Sequence, residues 1–298
     1  MDSYSSTLFC ETSSLLGEAP LWSEQRQSLF FLDILNRQLF EKKWQSEGNG
    51  YDRCWKLPEI ASSLAEDGSD PGCIWMVTDQ SFGRFHLETA SYERVVEFDF
   101  SAEIRANDGS VGPDGGFWFG TMQRNPADTA GKIWRVDPKG ILQLVYEPIG
   151  IPNTFTWTTD GSSCFISDSL SQKLHHFKKT SNGTLVAKPP IYKDFSGTPA
   201  TPDGGALDHN GELWIALWGG GSVVNFDTAG RKVGEIDVGV PQPSSCCFGG
   251  PEYRHLFITS AREGLTPESL LKSPASGSTF SVELGVRGVQ LPRFQLQG

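Results

Sequence analysis

The sequence predicts an all-β fold, and more specifically a six-bladed β-propeller. Three observations support this: a composition rich in glycine and aromatic residues, an aromatic strand motif that recurs six times, and tight-turn dipeptides between the strands. A period near 45 residues with three or four strands in each unit is typical of propellers, whereas a β-sandwich is not expected to show so long a regular period. Because the repeats account for nearly the whole chain, we expect residues 1–298 to form a single domain.

The composition favours strands over helices. Among 298 residues there are 33 glycines, 19 phenylalanines and nine tryptophans, but only three methionines. Aromatic residues are enriched in strands and glycine supplies the positive φ angles of tight turns. We therefore expect many short strands joined by glycine-containing turns.

The recurring motif is a turn followed by an apolar strand with one aligned aromatic residue. Successive aromatic residues are separated by 43 to 49 residues, and a second, mixed polar and apolar strand follows each motif. Asp-Gly and Asn-Gly pairs precede several of the strands, as hairpins require. The aligned aromatic residues are Phe30, Trp75, Trp118, Phe165, Trp214 and Phe257.

A second aligned position lies 11 to 13 residues before each aromatic residue, on the strand expected to be innermost in its blade. Innermost strands of a propeller face its axis, so equivalent positions are expected to converge there. Two carboxylates and two carboxamides occupy this position. The six residues are Glu18, Ser62, Asn107, Asn153, Asp203 and Ser245.

Converging charges at Glu18 and Asp203 would repel each other unless a cation lay between them or one carboxyl were protonated. The position carries only oxygen ligands, which suit calcium, magnesium or manganese and do not exclude iron(II) or zinc. The alternative that the residues leave open is a polar network in which bridging water satisfies the same side chains.

At these residues the sequence resembles the SMP-30/gluconolactonase/regucalcin family of sugar lactonases. The resemblance covers most of the chain and is carried by several motifs in the same order. These motifs are LLGEAPLW, IRANDGSVGPDGGFWFGTM, FISDSLS, TPDGGALDHNGELWIALWGGG, SSCCFGG and LFITSAR.

The resemblance implies a six-bladed propeller that binds one divalent cation. The family's metal-binding Glu in GEAP matches Glu18, its metal-binding Asn matches Asn153, and its metal-binding Asp in PDG matches Asp203. It also implies that Asp203 is the catalytic base. The residue after Asn153 is Thr154, where relatives often carry glycine, so the local backbone is expected to differ.

The substrate-binding Arg and Asn of the family's R-x-N-D-G motif match Arg105 and Asn107. Because they are two residues apart, both can face the same side of one strand. Asn125 aligns with a position that is acidic in regucalcin-like members and lines their substrate site. This departure indicates a differently decorated sugar.

The predicted function is divalent-metal-dependent hydrolysis of a sugar-acid lactone to the open-chain aldonic acid, a step of carbohydrate metabolism. A bound cation can polarise the lactone carbonyl. Asp203 then either accepts a proton from the attacking water or serves only as a ligand, and the sequence leaves both open. Two alternatives remain: hydrolysis of another ester or an organophosphate, and a non-enzymatic calcium-binding propeller.

Other features narrow the class of partner. A net charge of −11 argues against nucleic acid, and no apolar run approaches the length of about 20 residues that spans a bilayer. Six cysteines without CxxC spacing, and no evident signal peptide, favour reduced thiols in the cytoplasm. No histidine occupies the aligned position and no G-x-S-x-G motif occurs, so we do not expect a histidine base or a serine nucleophile.

Three further aspartates are expected to serve the backbone and not the chemistry. Asp108 follows the motif Asn and is interpreted as a turn or capping residue that points away from the channel. Asp33 and Asp168 lie at corresponding strand ends, in FFLDIL and FISDSL, and are expected to bind loop backbone.

Overall fold

The protein is described by a computed structural model, which covers residues 2–180 and 184–297. The fold class is all-β, as predicted, and the strands form six small, mainly antiparallel sheets, called blades 1–6 here. The chain divides into two compact units. Unit 1 contains the chain up to Leu57 together with Thr198–Gln290, and unit 2 runs from Pro58 to Gly197 and includes the residues from Leu291 onward. The expectation of one domain over residues 1–298 stays a prediction.

Unit 1 holds blades 1, 5 and 6, each with its inner strand at one edge of the sheet. The N-terminal strands complete two of these blades. β1 (Asp2–Ser5) pairs in parallel with β22 (Lys232–Asp237), and β2 (Thr7–Cys10) pairs antiparallel to β25 (Thr279–Glu283). The strands of blade 1 are β3 (Gly17–Ser23), β4 (Ser28–Asp33), β5 (Gln38–Lys43) and β6 (Arg53–Lys56); those of blade 5 are β1 (Asp2–Ser5), β19 (Thr201–Leu207), β20 (Leu213–Trp218), β21 (Ser222–Phe226) and β22 (Lys232–Asp237); those of blade 6 are β2 (Thr7–Cys10), β23 (Pro243–Gly249), β24 (His255–Ser260) and β25 (Thr279–Glu283).

Unit 2 holds blades 2, 3 and 4, each a four-stranded meander in chain order. The strands of blade 2 are β7 (Ala61–Glu66), β8 (Cys73–Thr78), β9 (Ser81–His86) and β10 (Ser91–Glu97); those of blade 3 are β11 (Ile104–Val111), β12 (Phe117–Gln123), β13 (Gly131–Val136) and β14 (Leu142–Ile149); those of blade 4 are β15 (Pro152–Trp157), β16 (Ser163–Asp168), β17 (Lys173–Lys178) and β18 (Ile191–Asp194).

The aligned aromatic residues all lie on the second strand of their blades, where they are buried. In unit 2, Trp118 of blade 3 packs edge-on against Trp157 of blade 4, with ring centroids 4.8 Å apart. In unit 1, Phe257 of blade 6 stacks on Trp22 of blade 1 at 5.5 Å. The recurrence in the sequence therefore reflects packing between adjacent blades, which buries both faces of each second strand.

Helix is scarce in the described residues. A 3-10 turn spans Pro251–Tyr253, and one α-helix, α1, spans Pro267–Lys272. Thr266 caps α1, because its side chain accepts a hydrogen bond from the backbone N–H of Ser269. Within residues 2–180 and 184–297, no helix has the length and apolar character needed to cross a membrane.

Candidate functional site

All six inner strands carry a β-bulge at the position that the sequence singled out. In each blade the inner strand has one more residue than its partner strand over the same stretch, as in β3, where Glu18 pairs with Leu32 and Leu21 with Phe30. The same irregularity occurs in the other five inner strands. Bulges re-aim side chains and are common beside active sites. The aligned polar residues lie in these bulges or directly next to them.

The backbone is left-handed at two of the bulges. Ala19, which follows Glu18, has φ of 51°, and Thr154, which follows Asn153, has φ of 61°. A positive φ is uncommon for any residue with a Cβ and especially costly for a β-branched one. The prediction that the backbone at Thr154 differs from that of relatives with glycine at this position stays a prediction. The positive φ of Thr154 explains why glycine suits the position.

In unit 2, four polar side chains form a continuous chain of hydrogen bonds, called the amide relay here. Arg105 Nη1 donates to Asn107 Oδ1, Asn107 Nδ2 donates to Asn153 Oδ1, and Asn153 Nδ2 donates to Ser169 Oγ, each at 2.8 Å. Asn107 and Asn153 are buried, with 8% and 5% exposure. The structure thus brings together three of the predicted site residues and adds Ser169.

Adjacent inner strands of unit 2 are also joined through backbone oxygens. Ser62 Oγ donates to the carbonyl of Asn107 at 2.6 Å, and Asn107 Nδ2 donates to the carbonyl of Pro152 at 3.1 Å. Ser110 Oγ donates to the carbonyl of Phe155 at 2.6 Å. These bonds fix the bulges of blades 2, 3 and 4 relative to one another.

Asp108 binds backbone, as expected of a capping residue, but it does so across two blades. Its carboxylate accepts hydrogen bonds from the N–H groups of Gly109, Thr154 and Phe155. Burial raises the pKa of the Asp108 carboxyl to about 6, against the lowering effect of these three donors. Asp108 therefore holds the bulge that carries Asn153.

In unit 1 the predicted site residues are Glu18 on β3 and Asp203 on β19, and both strands adjoin β23. Gly204, next to Asp203, lies so close to β23 that a Cβ there would be 2.0 Å from Ser245 Oγ. On the other side of β23, Ser244 Oγ donates to the carbonyl of Gly17. Asp203 is buried, with 7% exposure, and Glu18 is half-buried.

The segments just before Glu18 in blade 1 and Asn153 in blade 4 are both fixed by hydrogen bonds from backbone N–H groups to an aspartate. Asp33 accepts hydrogen bonds from the N–H groups of Leu15 and Leu16, which lie three and two residues before Glu18. Asp168 accepts one from Ile151, two residues before Asn153. Their predicted role in binding loop backbone is confirmed.

Asn125 lies in the exposed loop that follows β12, at the end of blade 3 where β11 begins. Its neighbour Arg124 is fixed there: its N–H donates to the carbonyl of Glu103 at 2.8 Å, and Nη2 binds Asp79 at 2.6 Å. Because Arg105 lies at this same end of β11, Asn125 and Arg105 share one end of the blade. A substrate contact by Asn125 stays a prediction.

The chemistry of the predicted ligand residues, taken one by one, fits a hard divalent cation. Unit 1 supplies two carboxylates. Unit 2 supplies Asn153 Oδ1, which accepts one hydrogen bond and keeps a second lone pair. Such an oxygen-only set suits calcium, magnesium or manganese. Within residues 2–180 and 184–297, no three His, Cys, Asp or Glu side chains are grouped so that they could hold a metal ion. The predicted ligand set differs from such a group because one of its three members is an asparagine.

Sequence reasoning missed Ser169 and the bulges. Ser169 follows Asp168 in FISDSLS, and the motif was interpreted only through the aspartate. The available signal was the position of this serine directly after the end of a strand in the same blade as Asn153, which places its hydroxyl within reach of the amide. The bulges carry no sequence signal except the glycines at some of them.

These features define a six-bladed β-propeller whose inner strands present carboxylate and carboxamide side chains. The model of the SMP-30/Gluconolactonase/LRE-like region matches residues 16–262, so the chain belongs to that family, as the motifs predicted.

The chain is similar to relatives over almost its full length. It is 29% identical to L-arabinolactonase of Azospirillum brasilense over 293 residues, which is 97% of this chain and 95% of that protein. It is 29% identical to human regucalcin over 282 residues, covering 92% of each chain. The crystal structure of a calcium-binding protein, regucalcin, from Agrobacterium tumefaciens matches with a TM-score of 0.92 at 28% identity, over 99% of both chains.

Proposed function

We propose that the protein is a divalent-metal-dependent lactonase that hydrolyses a sugar-acid lactone to the open-chain aldonic acid. Membership of a family whose relatives are named gluconolactonase and L-arabinolactonase supports lactone hydrolysis as the activity. The single observation that carries the proposal is the coincidence of bulges with the aligned positions of all six inner strands. The bulges turn the backbone beside these polar residues, and bulges of this kind are common next to active sites.

We propose Glu18, Asn153 and Asp203 as the ligands of one divalent cation. When bound, the cation would polarise the lactone carbonyl and stabilise the negative charge that develops on its oxygen. Calcium is the cation that the name of the Agrobacterium regucalcin mentions. The oxygen ligands suit it, and they also suit magnesium and manganese and do not exclude zinc or iron(II).

The chain's own residues have separate roles in this proposal. Asp203 accepts the proton of the attacking water, for which a buried carboxylate on the inner strand of blade 5 is suited. Arg105 and Asn107 orient the substrate through its hydroxyls or lactone oxygen. Asn125, exposed after β12, contacts the variable part of the sugar.

We further propose a cytoplasmic location. All six cysteines are free thiols, including the adjacent Cys246 and Cys247 in β23. Free thiols are typical of reducing compartments. The proposed partner is a small-molecule sugar lactone.

The test is a panel of aldonolactones of different ring size, followed by proton release after subtraction of spontaneous ring opening. The proposal expects hydrolysis of at least one of them, loss of activity in EDTA, and recovery on adding a divalent salt. Activity that EDTA leaves unchanged would contradict the metal dependence. Hydrolysis of aryl esters or organophosphates alone, or cation binding with no hydrolysis, would favour the alternatives over a sugar lactonase.

A further inference from the structure

Unit 1 contains a cavity that is lined by none of the residues proposed above for the cation or the substrate. Its volume is about 670 Å³, which lies within the range of roughly 300–1,000 Å³ that is usual for small-molecule sites. The walls come from β1, β2 and β25, from the start of β24, and from the end of β5 with the turn that follows it.

One wall of this cavity is aromatic and firmly packed. Trp44 stacks on Phe9 with ring centroids 6.0 Å apart and meets His255 edge-on at 4.5 Å. Trp44 also packs edge-on against the fully buried Phe257 at 6.0 Å. Because Phe9 and Trp44 are only half-buried and line the cavity, part of each ring is available to a ligand. A flat ring packs well on such a wall.

The cavity is also lined by a buried positive charge. Lys42 has 2% exposure and is the only buried lysine or arginine in the part of the chain that the structure describes. Its Nζ donates one hydrogen bond, to the carbonyl of Gly48 at 2.8 Å, and within the described residues it forms no ion pair. The buried Glu41, by contrast, binds Arg26 at 2.9 Å. A buried ammonium without a counter-charge is costly.

The groups around Lys42 do not supply the missing negative charge. Burial raises the pKa of the Cys10 thiol to about 12, so this neighbour is uncharged at neutral pH. Asp52 is exposed, and its carboxylate accepts a backbone N–H. Glu283 lines the cavity but is exposed, so water and salt screen its charge. Burial lowers the pKa of His255, which is therefore neutral at pH 7.

We propose that this cavity is a second binding site, which takes a small monocarboxylate that carries an aromatic ring. The carboxylate pairs with the two N–H groups of Lys42 that the Gly48 carbonyl does not use, and the ring packs on Phe9 and Trp44. A single negative charge matches the single ammonium, whereas a phosphate dianion would leave a charge unbalanced near Glu283. The proposal does not depend on the lactonase activity.

The experiment titrates the full chain with phenylacetate by calorimetry. EDTA is present throughout, so that a cation held by Glu18, Asn153 and Asp203 contributes nothing to binding. The uncharged phenylacetamide and the ring-free acetate are titrated in parallel. We expect phenylacetate to bind roughly 10-fold or more tightly than either, because the amide lacks the charge and acetate lacks the ring.

Two neighbouring lysines give a matched pair of variants. Lys42→Met removes the buried ammonium and keeps an unbranched side chain, so it should lose roughly 10-fold or more of the affinity for phenylacetate. Lys43→Met makes the same change of charge at an exposed position and should bind as wild type does. Glu283→Gln removes the negative charge that lines the cavity and should strengthen binding about 2-fold at low salt.

Thermal unfolding without ligand distinguishes a binding role of Lys42 from a structural one. If the ammonium serves a ligand, its burial destabilises the free protein, and Lys42→Met should unfold at the wild-type temperature or above it. A clearly lower unfolding temperature would show that Lys42 serves to hold the turn at Gly48, and would count against the proposal. Should Lys42→Met not fold, the comparison of phenylacetate with phenylacetamide in wild type and in Glu283→Gln still decides.

The remaining outcomes separate this site from the proposed cation site. Equal binding of phenylacetate and phenylacetamide, unchanged affinity in Lys42→Met, or no binding at all would overturn the proposal. Binding that requires a divalent salt in place of EDTA would place the carboxylate at the cation and would also overturn it, without affecting the lactonase proposal. A protein that hydrolyses no lactone but binds phenylacetate through Lys42 would keep this site and lose the proposed function.

Discussion

The two units place the same bulge on their inner strands but occupy it with different side chains. In unit 2 the aligned residues are neutral, and they bind one another through the amide relay and through backbone carbonyls. In unit 1 two of the three are carboxylates, Glu18 and Asp203, on either side of β23. The comparison shows that the aligned position carries charge in unit 1 and is neutral and hydrogen-bonded in unit 2.

The largest effect is expected from Asp203→Asn, which removes a carboxylate of unit 1 with almost no change of shape. Loss of a general base typically costs about 10²- to 10⁴-fold in rate, so turnover of the lactone should fall by that much while the fold survives. Lactone hydrolysis and circular dichroism measure the two quantities. Glu235→Gln, on β22 of the same blade, is the matched control and should keep normal activity. Near-wild-type turnover in Asp203→Asn would refute its assignment.

Much of this comparison could be predicted from the sequence. The aromatic residues and the aligned polar residues fall on the second and first strands of every blade, because both sets obey a period that side-chain packing between blades imposes. Family motifs then point to Glu18, Asn153 and Asp203 in turn, a ligand set that stays a prediction.

Other parts could not be predicted, for physical reasons. A bulge adds one residue to one of two paired strands. The alternation of apolar and polar residues does not show which of the two strands contains the extra residue. The relay through Ser169 depends on the direction of side chains that meet across blades 3 and 4. The joining of N-terminal β1 and β2 to blades 5 and 6 depends on pairing over more than 200 residues of chain.

Measurements of cation affinity can compare the contribution of the Glu18 carboxylate in unit 1 with that of the Asn153 amide in unit 2. Glu18→Gln removes one negative charge and Asn153→Ala removes one neutral ligand, so Glu18→Gln should weaken calcium binding more. Raising the salt concentration should narrow the difference, because salt screens the charge contribution and leaves the neutral one. Calorimetric titration at two salt concentrations is the measurement. Equal losses at low salt would remove the distinction between the two units.

A histidine of unit 1 that is not among the proposed site residues allows a test of how the free energy of unfolding depends on pH. Burial lowers the pKa of His255, whose ring contacts Trp44 at 4.5 Å. A base with a lowered pKa in the folded state takes up its proton more readily when unfolded, so the free energy of unfolding should fall as pH drops below about 6.5. His255→Phe should show a shallower fall between pH 7 and 5 in urea titrations. His209→Gln, exposed in the same unit, is the control; a slope in His255→Phe identical to that of wild type would contradict the account.

The smallest effects concern the left-handed residues that follow Glu18 and Asn153. Glycine at either position removes a strain of about 1–2 kcal/mol, offset in part by the greater freedom of the unfolded chain. Ala19→Gly should therefore leave the protein slightly more stable. Thr154→Gly also loses a buried side chain and its hydrogen bond to Ser167 at 3.1 Å, so it should be less favourable than Ala19→Gly. Thermal unfolding in EDTA would rank the two, and the reverse order would contradict this explanation.

The most direct measurement is a crystal grown with excess manganese, with anomalous scattering used to locate the cation. The account predicts one strong peak bound by oxygens of Glu18, Asn153 and Asp203. A peak bound by other residues, or ordered water alone among these three side chains, would contradict it.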